Sequence, residues 1–397
     1  MPSKVNPGDY RLQLLSDYPT IEYTRLQNSH AWKGALLTED YVTRELVLGK
    51  AKITSSEINR LLVFCLTSVN NSTPLASIEF LVRQAWRYDV DDHGEVKRQQ
   101  VLSGCIGGVY TYPENRGMGL AKIMVDLLIK KCRDENIIDP HGFIFLYSEI
   151  GEYYAKNGFK SHPIPLINIA PSIEKFDLKH TVELIKYHNF ESYMNLHAAQ
   201  FDKKMVQDVK TDKKSRVSVI PTSDLVDWFH LRAKYISNKL TAPNDKFDFV
   251  KSNYEQIVHH FDETKPEHFG LKLKNSNGEM TGFIIWTQDW KIEDHSSYYT
   301  VLKIVIVDGF DYNSTCIELL KAMQNHIIDC NENINKIVLW QSEINQDIVE
   351  FLSSNWTCKL GLENSSRSAI LLSDEKDHNK LLEGNLVWKG NDKLPWF

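Results

Sequence analysis

Residues 109–121 read Val-Tyr-Thr-Tyr-Pro-Glu-Asn-Arg-Gly-Met-Gly-Leu-Ala. An extended run meets a proline, then a turn with glycines at 117 and 119. A segment with Leu120, Ile123, Met124, Leu127 and Leu128 at helical spacing follows. The first N–H groups of a helix have no partner within it and point out of its start. Glycines there let a bulky anion approach the backbone closely, and the helix dipole adds about 0.3–1 kcal/mol of preference for negative charge. The chemistry on offer is phosphate binding. The turn has neither the Gly-Lys-Ser/Thr of a nucleoside-triphosphate loop nor the glycine spacing of a dinucleotide fingerprint. Outside the turn, Glu79, Glu149 and Tyr154 are side chains able to move protons. The chain ends Lys393-Leu394-Pro395-Trp396-Phe397. Free tails are usually polar, so two terminal aromatics predict docking against an apolar surface.

Periodicity outlines the elements that must position these residues. Helices are expected at about 21–32 and 38–48, then strands Arg60–Thr67 and Leu75–Arg87 around an Asn-Asn-Ser-Thr-Pro turn. A polar excursion, Asp89–Gln100, precedes a third strand, Val101–Tyr112. Then come helix Gly119–Asn136, strand Gly142–Tyr147 and a short helix ending at Asn157-Gly158. Residues 203–216 carry six basic residues and few large apolar ones, and they read as a linker between domains 1–202 and 217–397. Beyond it the order recurs. Helix Ser223–Asn238 leads to hairpin strands His268–Leu273 and Glu279–Gln288, turned by Asn275-Ser276-Asn277-Gly278. Strand Tyr299–Val307, helix Ser314–Asp329, strand Lys336–Gln341, helix Asn345–Ser353 and strand Arg367–Leu372 complete it. This recurrence fits two domains of one fold, and equally the common order of any α/β chain.

Composition narrows the class. Of 397 residues, 42% are hydrophobic and 25% charged, which excludes a wholly disordered or fibrous chain. Forty-six basic against 52 acidic residues give a net charge of −6, the wrong sign for wrapping nucleic acid. No apolar run is long enough to span a membrane, and Met1–Tyr10 lacks the apolar core of a secretory signal. Six cysteines without a Cys-x-x-Cys pair read as reduced thiols of a cytoplasmic protein.

The hexamer Arg116-Gly117-Met118-Gly119-Leu120-Ala121 has the form Arg/Gln-x-x-Gly-x-Gly/Ala. A second block, Glu149-Ile150-Gly151-Glu152-Tyr153-Tyr154-Ala155-Lys156-Asn157-Gly158-Phe159, follows the next strand. Together they resemble the acetyl-coenzyme A loop and the Tyr-x-x-x-Gly-Phe element of the GNAT N-acetyltransferase superfamily. The likeness covers residues 10–165 in element order and is tight over 101–159. It implies an α/β (α+β) chain: an N-terminal GNAT domain with a splayed mixed sheet, then a degenerate GNAT-like C-terminal domain that shapes the acceptor site. The second domain counts as degenerate because acidic, bulky Asp308-Gly309-Phe310-Asp311-Tyr312-Asn313 stands where the glycine turn should be.

The resemblance also assigns roles. Val109, Tyr110 and Thr111 would pair with the pantetheine arm of acetyl-CoA. The N–H groups of Gly117, Met118, Gly119, Leu120 and Ala121, beside Arg116, would hold its pyrophosphate, and no metal is needed. Tyr154 takes the place of the general acid that protonates the departing thiolate, with Tyr153 facing elsewhere. An acceptor amine with pKa near 10.4 costs roughly 4–5 kcal/mol to present neutral at pH 7, so a base should relay its proton. Strand Val101–Tyr112 has no acidic residue, although the family often carries a glutamate there. Three candidates remain. Glu79 reads foremost as a solvated strand residue, Glu149 otherwise complements a helix dipole, and the terminal carboxylate of Phe397 otherwise belongs to a hydrophobic plug between domains. Glu79 and Tyr112 are the candidate acceptor contacts.

Two such domains resemble most the fungal L-lysine N6-acetyltransferases of lysine catabolism. The match lies in length, in the region of Trp32 and Tyr41, and in the block Ser148–Tyr154. The bacterial aminoglycoside acetyltransferases, whose terminal carboxylate serves as base, are similar too. The expected reaction is direct transfer of acetyl from acetyl-CoA to a primary amine, foremost the side-chain amine of free L-lysine. A peptide, polyamine or aminoglycoside-like acceptor, or an inactive acyl-CoA-binding scaffold, are the competing readings. The expected partner is a small-molecule amine, with neither nucleic acid nor membrane.

Overall fold

The computed structural model describes residues 6–91, 93–292, 296–330, 332–362 and 366–397. Met1–Val5, part of the segment read for a signal, lie outside them. In chain order come β1 (Tyr10–Leu14), α1 (Tyr18–Trp32), α2 (Thr38–Leu48), α3 (Lys52–Ser55), β2 (Arg60–Ser68), β3 (Asn71–Val90) and β4 (Val96–Thr111). They are followed by α4 (Leu120–Asp134), β5 (Phe143–Ser148), β6 (Lys160–Pro163) and β7 (Leu166–Ile169). The remainder gives β8 (Thr181–Lys186), α5 (Glu191–Asp212), β9 (Ser215–Val219), α6 (Ser223–Thr241), α7 (Tyr254–Phe261), β10 (His268–Lys274), β11 (Met280–Trp290) and β12 (Ser297–Ile306). Last are α8 (Tyr312–Cys330), β13 (Ile334–Trp340), α9 (Gln346–Asn355), β14 (Cys358–Leu362), β15 (Arg367–Leu372), α10 (Glu375–Glu383) and β16 (Leu386–Trp388).

Two mixed sheets result. The first runs β1-β2-β3-β4-β5-β15-β6, with β9 on the far half of β3 and β16 beside β9. The second runs β14-β7-β13-β12-β11-β10-β8. Each path holds a parallel pair at the same place, β4 with β5 and β12 with β13. The recurrence is therefore two copies of one fold. The copies exchange strands: β15 enters the first sheet between β5 and β6, and β7 enters the second between β13 and β14.

The apolar stripe of α4 (Leu120, Ile123, Met124, Leu128) packs on one face of the first sheet, against Phe80, Ile106 and Leu146. Its counterpart α8 does the same on the second, through Leu319, Leu320 and Met323. A third cluster joins the sheets and takes in Phe143, Phe145, Tyr147, Phe229, Trp340, Trp388 and Leu394.

The expected linker at 203–216 is not one. Residues 203–212 are the second half of α5, and β9 then pairs with β3 at Ala85–Tyr88. Lys203, Lys204 and Lys210 stand on the solvated side of α5, whose other side buries Met205 and Val209 against Tyr88, while Arg216 is buried in β9. Lys203 pairs with Asp308 and Lys204 with Asp208. Limits at 1–202 and 217–397 consequently cut across both sheets. The chain passes from the first sheet to the second between β6 and β7. The polar excursion at 89–100 is a continuation of the β3–β4 hairpin, Asp92 lying outside the described residues. Among the described residues no helix is long and apolar enough to cross a membrane.

Candidate functional site

Pairing of β4 with β5 ends at Ile106 with Leu146. Beyond it β4 continues beside β3 alone, through a bulge between Ser77 and Glu79 where Gly108 takes φ +54°. The sheet thus opens into a V, and the edge of β4 from Gly107 to Thr111 faces away from β5. At the mouth stands the glycine turn. Gly117 and Gly119 adopt φ +79° and +77°, conformations that favour glycine. A Cβ at either would meet nothing within 4 Å, so the space in front of the turn is open. Gly119 caps α4 without a side-chain hydrogen bond, which leaves the helix start available to an anion. Arg116 turns back, donating to Thr111 O at 3.1 Å and to Tyr110 Oη at 2.9 Å. It holds the turn against the strand end. Met118 is exposed.

A cavity of about 450 Å³ lies at the opening of the V, between the two sheets. The first domain lines it with Trp32, Tyr41, Arg44 and Glu45 from α1 and α2, with Glu79 and Gly107–Val109, and with Glu149 and Tyr154. The second contributes Trp228, Phe229 and Arg232 of α6, Asp289 of β11 and Tyr298 of β12. The chain terminus adds Lys393, Trp396 and Phe397.

Tyr154 sits in a 3₁₀ turn, Tyr153–Asn157, closed by Gly158 at φ +90°. Burial, then the neighbouring Tyr153 and Glu149, hold its phenol above the usual range, so it stays protonated and able to donate. Tyr153 does not line the cavity; its ring carries the Lys156 ammonium at 3.2 Å. Glu79 overturns its solvated reading. It is 7% exposed, and burial followed by repulsion from Glu45 pushes its carboxyl up to about 7, with Arg25 and Arg44 opposing. Both faces of β3 are covered at that point, so period-2 alternation carries no signal. Glu149 also lines the cavity. Tyr112 does not: it is fully buried, its ring 5.7 Å from Tyr23 and 6.2 Å from Tyr110, and it serves packing under the strand end.

The terminal segment docks between the domains. Asp392 accepts from Lys303 Nζ at 2.7 Å, and its carbonyl accepts from Tyr147 Oη at 3.1 Å. The Arg83 guanidinium donates to the Pro395 carbonyl, and Trp396 stacks on Tyr147 at 5.2 Å. Phe397 then enters the cavity, where a Cβ on Gly107 would come within 2.8 Å of its ring.

Sequence reasoning missed the second domain's share. Arg232 binds Asp289 at 2.5 Å, and Asp289 also accepts from Thr300 at 3.2 Å. Burial opposes ionisation of Asp289, but Arg232 and Lys393 hold its carboxyl below the usual range. Burial pulls Lys393 down to about 7 despite Asp289 and Glu149, with its ammonium 3.5 Å above the Trp396 ring. The available signal was Arg232 among Asp227, His230 and Lys234 in α6, a pattern that solvated helix faces also produce.

The second domain's equivalent turn is self-satisfied. Asp311 accepts from Ser314 N at 2.8 Å at the start of α8, and Asp308 binds Lys203 and Gln200. In its own V, which opens after Thr300 and Val338, Glu343 accepts from the backbone of Ile304 at 3.4 Å and from Lys303 at 3.0 Å. Carboxylates of the chain itself thus take up donors at the start of α8 and in this V.

The family model described as LYC1 GNAT-like C-terminal domain matches residues 167–397, which begin inside β7. The uncharacterized protein YGR111W of Saccharomyces cerevisiae is 27% identical over 439 residues, across 100% of both chains. Among solved structures, a GCN5-related N-acetyltransferase from Anabaena variabilis matches with TM-score 0.52 and 14% identity, over 92% of this chain and 73% of that one. That likeness speaks for the fold alone. A tandem GNAT protein from the clavulanic acid biosynthesis pathway aligns with TM-score 0.49 and 9% identity, over 92% and 98%.

Proposed function

The chain belongs to the LYC1 GNAT-like family, and from that premise we propose that it is an N-acetyltransferase that uses acetyl-CoA to acetylate a small primary amine. One observation carries the reading: an unpaired strand edge links an uncapped, glycine-lined helix start to a cavity holding a buried carboxyl and a buried phenol. The cosubstrate fits the residues present. Side chains are missing at Gly117 and Gly119 where a pyrophosphate needs backbone, and the β4 edge offers backbone groups to the amides of a pantetheine arm. Bound there, acetyl-CoA supplies the activated acetyl group as a thioester.

The chain's own residues handle the protons. Glu79, titrating near neutrality, takes one from the acceptor ammonium. Tyr154 gives one to the departing sulfur. Arg44–Glu45 and Arg232–Asp289 flank the acceptor space with both signs of charge. That mixture suits a zwitterion better than a diamine, which would pair with acids at both ends. Free L-lysine, acetylated on its side-chain amine, is accordingly the acceptor proposed. The enclosing second domain favours a small molecule over a peptide, which would need an open groove. Rates of acetylation of free lysine, of lysine within a peptide and of polyamines test this: lysine should be fastest, and preference for peptides would reject it.

A further inference from the structure

We infer that the side chain of Phe397 is the gauge that limits the transferred group to acetyl. This rests on the acyl-transfer reading. β4 runs toward the glycine turn, so an arm anchored at residues 117–121 returns along the strand edge from Thr111 to Gly107. Four strand steps at about 3.3 Å each span about 13 Å. The acyl end then arrives where β4 and β5 part, closed on the sheet side by Ile106 and Leu146.

At that point the open wall is the Phe397 ring. Three of its carbons would lie 2.8, 3.1 and 3.4 Å from a Cβ on Gly107, so the ring rests on a side-chain-free stretch of β4 at the fork. Trp228 stands 6.1 Å away, edge to face, and blocks the ring from swinging toward α6. The wall is stiffened within six residues by Lys303 on Asp392, Arg83 on the Pro395 carbonyl and the Trp396–Tyr147 stack. An acyl group longer by one methylene meets the ring instead of open space. In a hydrophobic pocket such a misfit discriminates by about 10–200-fold.

Replacing Phe397 by another residue removes the ring and keeps a terminal carboxylate, which separates the two. Wild type, Phe397→Leu and Phe397→Ala are titrated calorimetrically with acetyl-, propionyl- and butyryl-CoA in the absence of acceptor, and kcat/KM is then measured for each. Wild type should favour acetyl-CoA over butyryl-CoA by at least about tenfold in both readouts. Phe397→Ala should close the gap to within about threefold, with Phe397→Leu between. An unchanged gap in a Phe397→Ala protein that still binds acetyl-CoA overturns the inference, as does a wild type without a gap. A ring that merely plugs the interface would lower thermal stability and leave the ratio alone, which also overturns it. A wild type that binds no acyl-CoA rejects the acyl-transfer reading and this inference with it.

Discussion

In the proposed reaction Glu79 and Tyr154 divide the acid–base work, because their surroundings push them in useful directions. A carboxyl at about 7 is deprotonated often enough at neutral pH to accept a proton and basic enough to hold one. The reactive form is the carboxylate, so kcat/KM should fall about tenfold per pH unit below 7. In Glu79→Gln that limb should vanish, leaving the acceptor's own titration at higher pH, with turnover lower by about 10²–10⁴. A limb near 7 that survives in Glu79→Gln would transfer the role to Glu149 or the terminal carboxylate. For Tyr154→Phe we predict a turnover loss of about 10²–10⁴ at unchanged acetyl-CoA affinity; a loss under about threefold would reduce it to packing. At this scale the place of Tyr154 and Glu149 at the cavity was legible because both follow a strand within a recognisable block. The burial of Glu79 was not, since it depends on how α1 and α2 lie over β3 and bring Arg25, Arg44 and Glu45 to it.

The elements explain what was readable and what was hidden. Runs of apolar and β-branched residues and helical spacing disclosed α4, most of β2 to β5 and most of the second copy, because these signals are local to each element. The short strands β7 and β15 were another matter. Arg367–Leu372 was seen as a strand, yet nothing in its residues says that it pairs with β5, and β7 is four residues long. The same blindness made the basic half of α5 look like a linker: Met205 and Val209, its only fully buried residues there, are too few to outweigh the lysines. The glycine turn is the element most exposed to test. Gly119→Glu places a charge and a side chain in front of the α4 N–H groups and forces a residue into φ +77°. Calorimetry should detect no acetyl-CoA binding to this variant while its circular dichroism matches wild type. Unchanged affinity would show that the coenzyme binds elsewhere.

For the molecule as a whole, exchanged strands and a terminal segment buried between the sheets tie the two copies together. Neither half can complete its sheet alone. A single cooperative thermal transition is therefore predicted by calorimetry, with calorimetric and van't Hoff enthalpies equal; two separate transitions would mean that the copies are energetically independent. The second copy then has a part in the proposed reaction: Trp228, Phe229, Arg232 and Asp289 line the cavity that opens in the first copy. Catalysis by the first copy should consequently depend on residues of the second. The most direct measurement of the central claim is mass spectrometry of a reaction of the purified protein with acetyl-CoA and a mixture of free amino acids, polyamines and lysine-containing peptides. The account predicts stoichiometric release of CoA and one dominant product, lysine acetylated on its side-chain amine. Acetyl-CoA left unconsumed with every amine would contradict the acetyltransferase assignment itself.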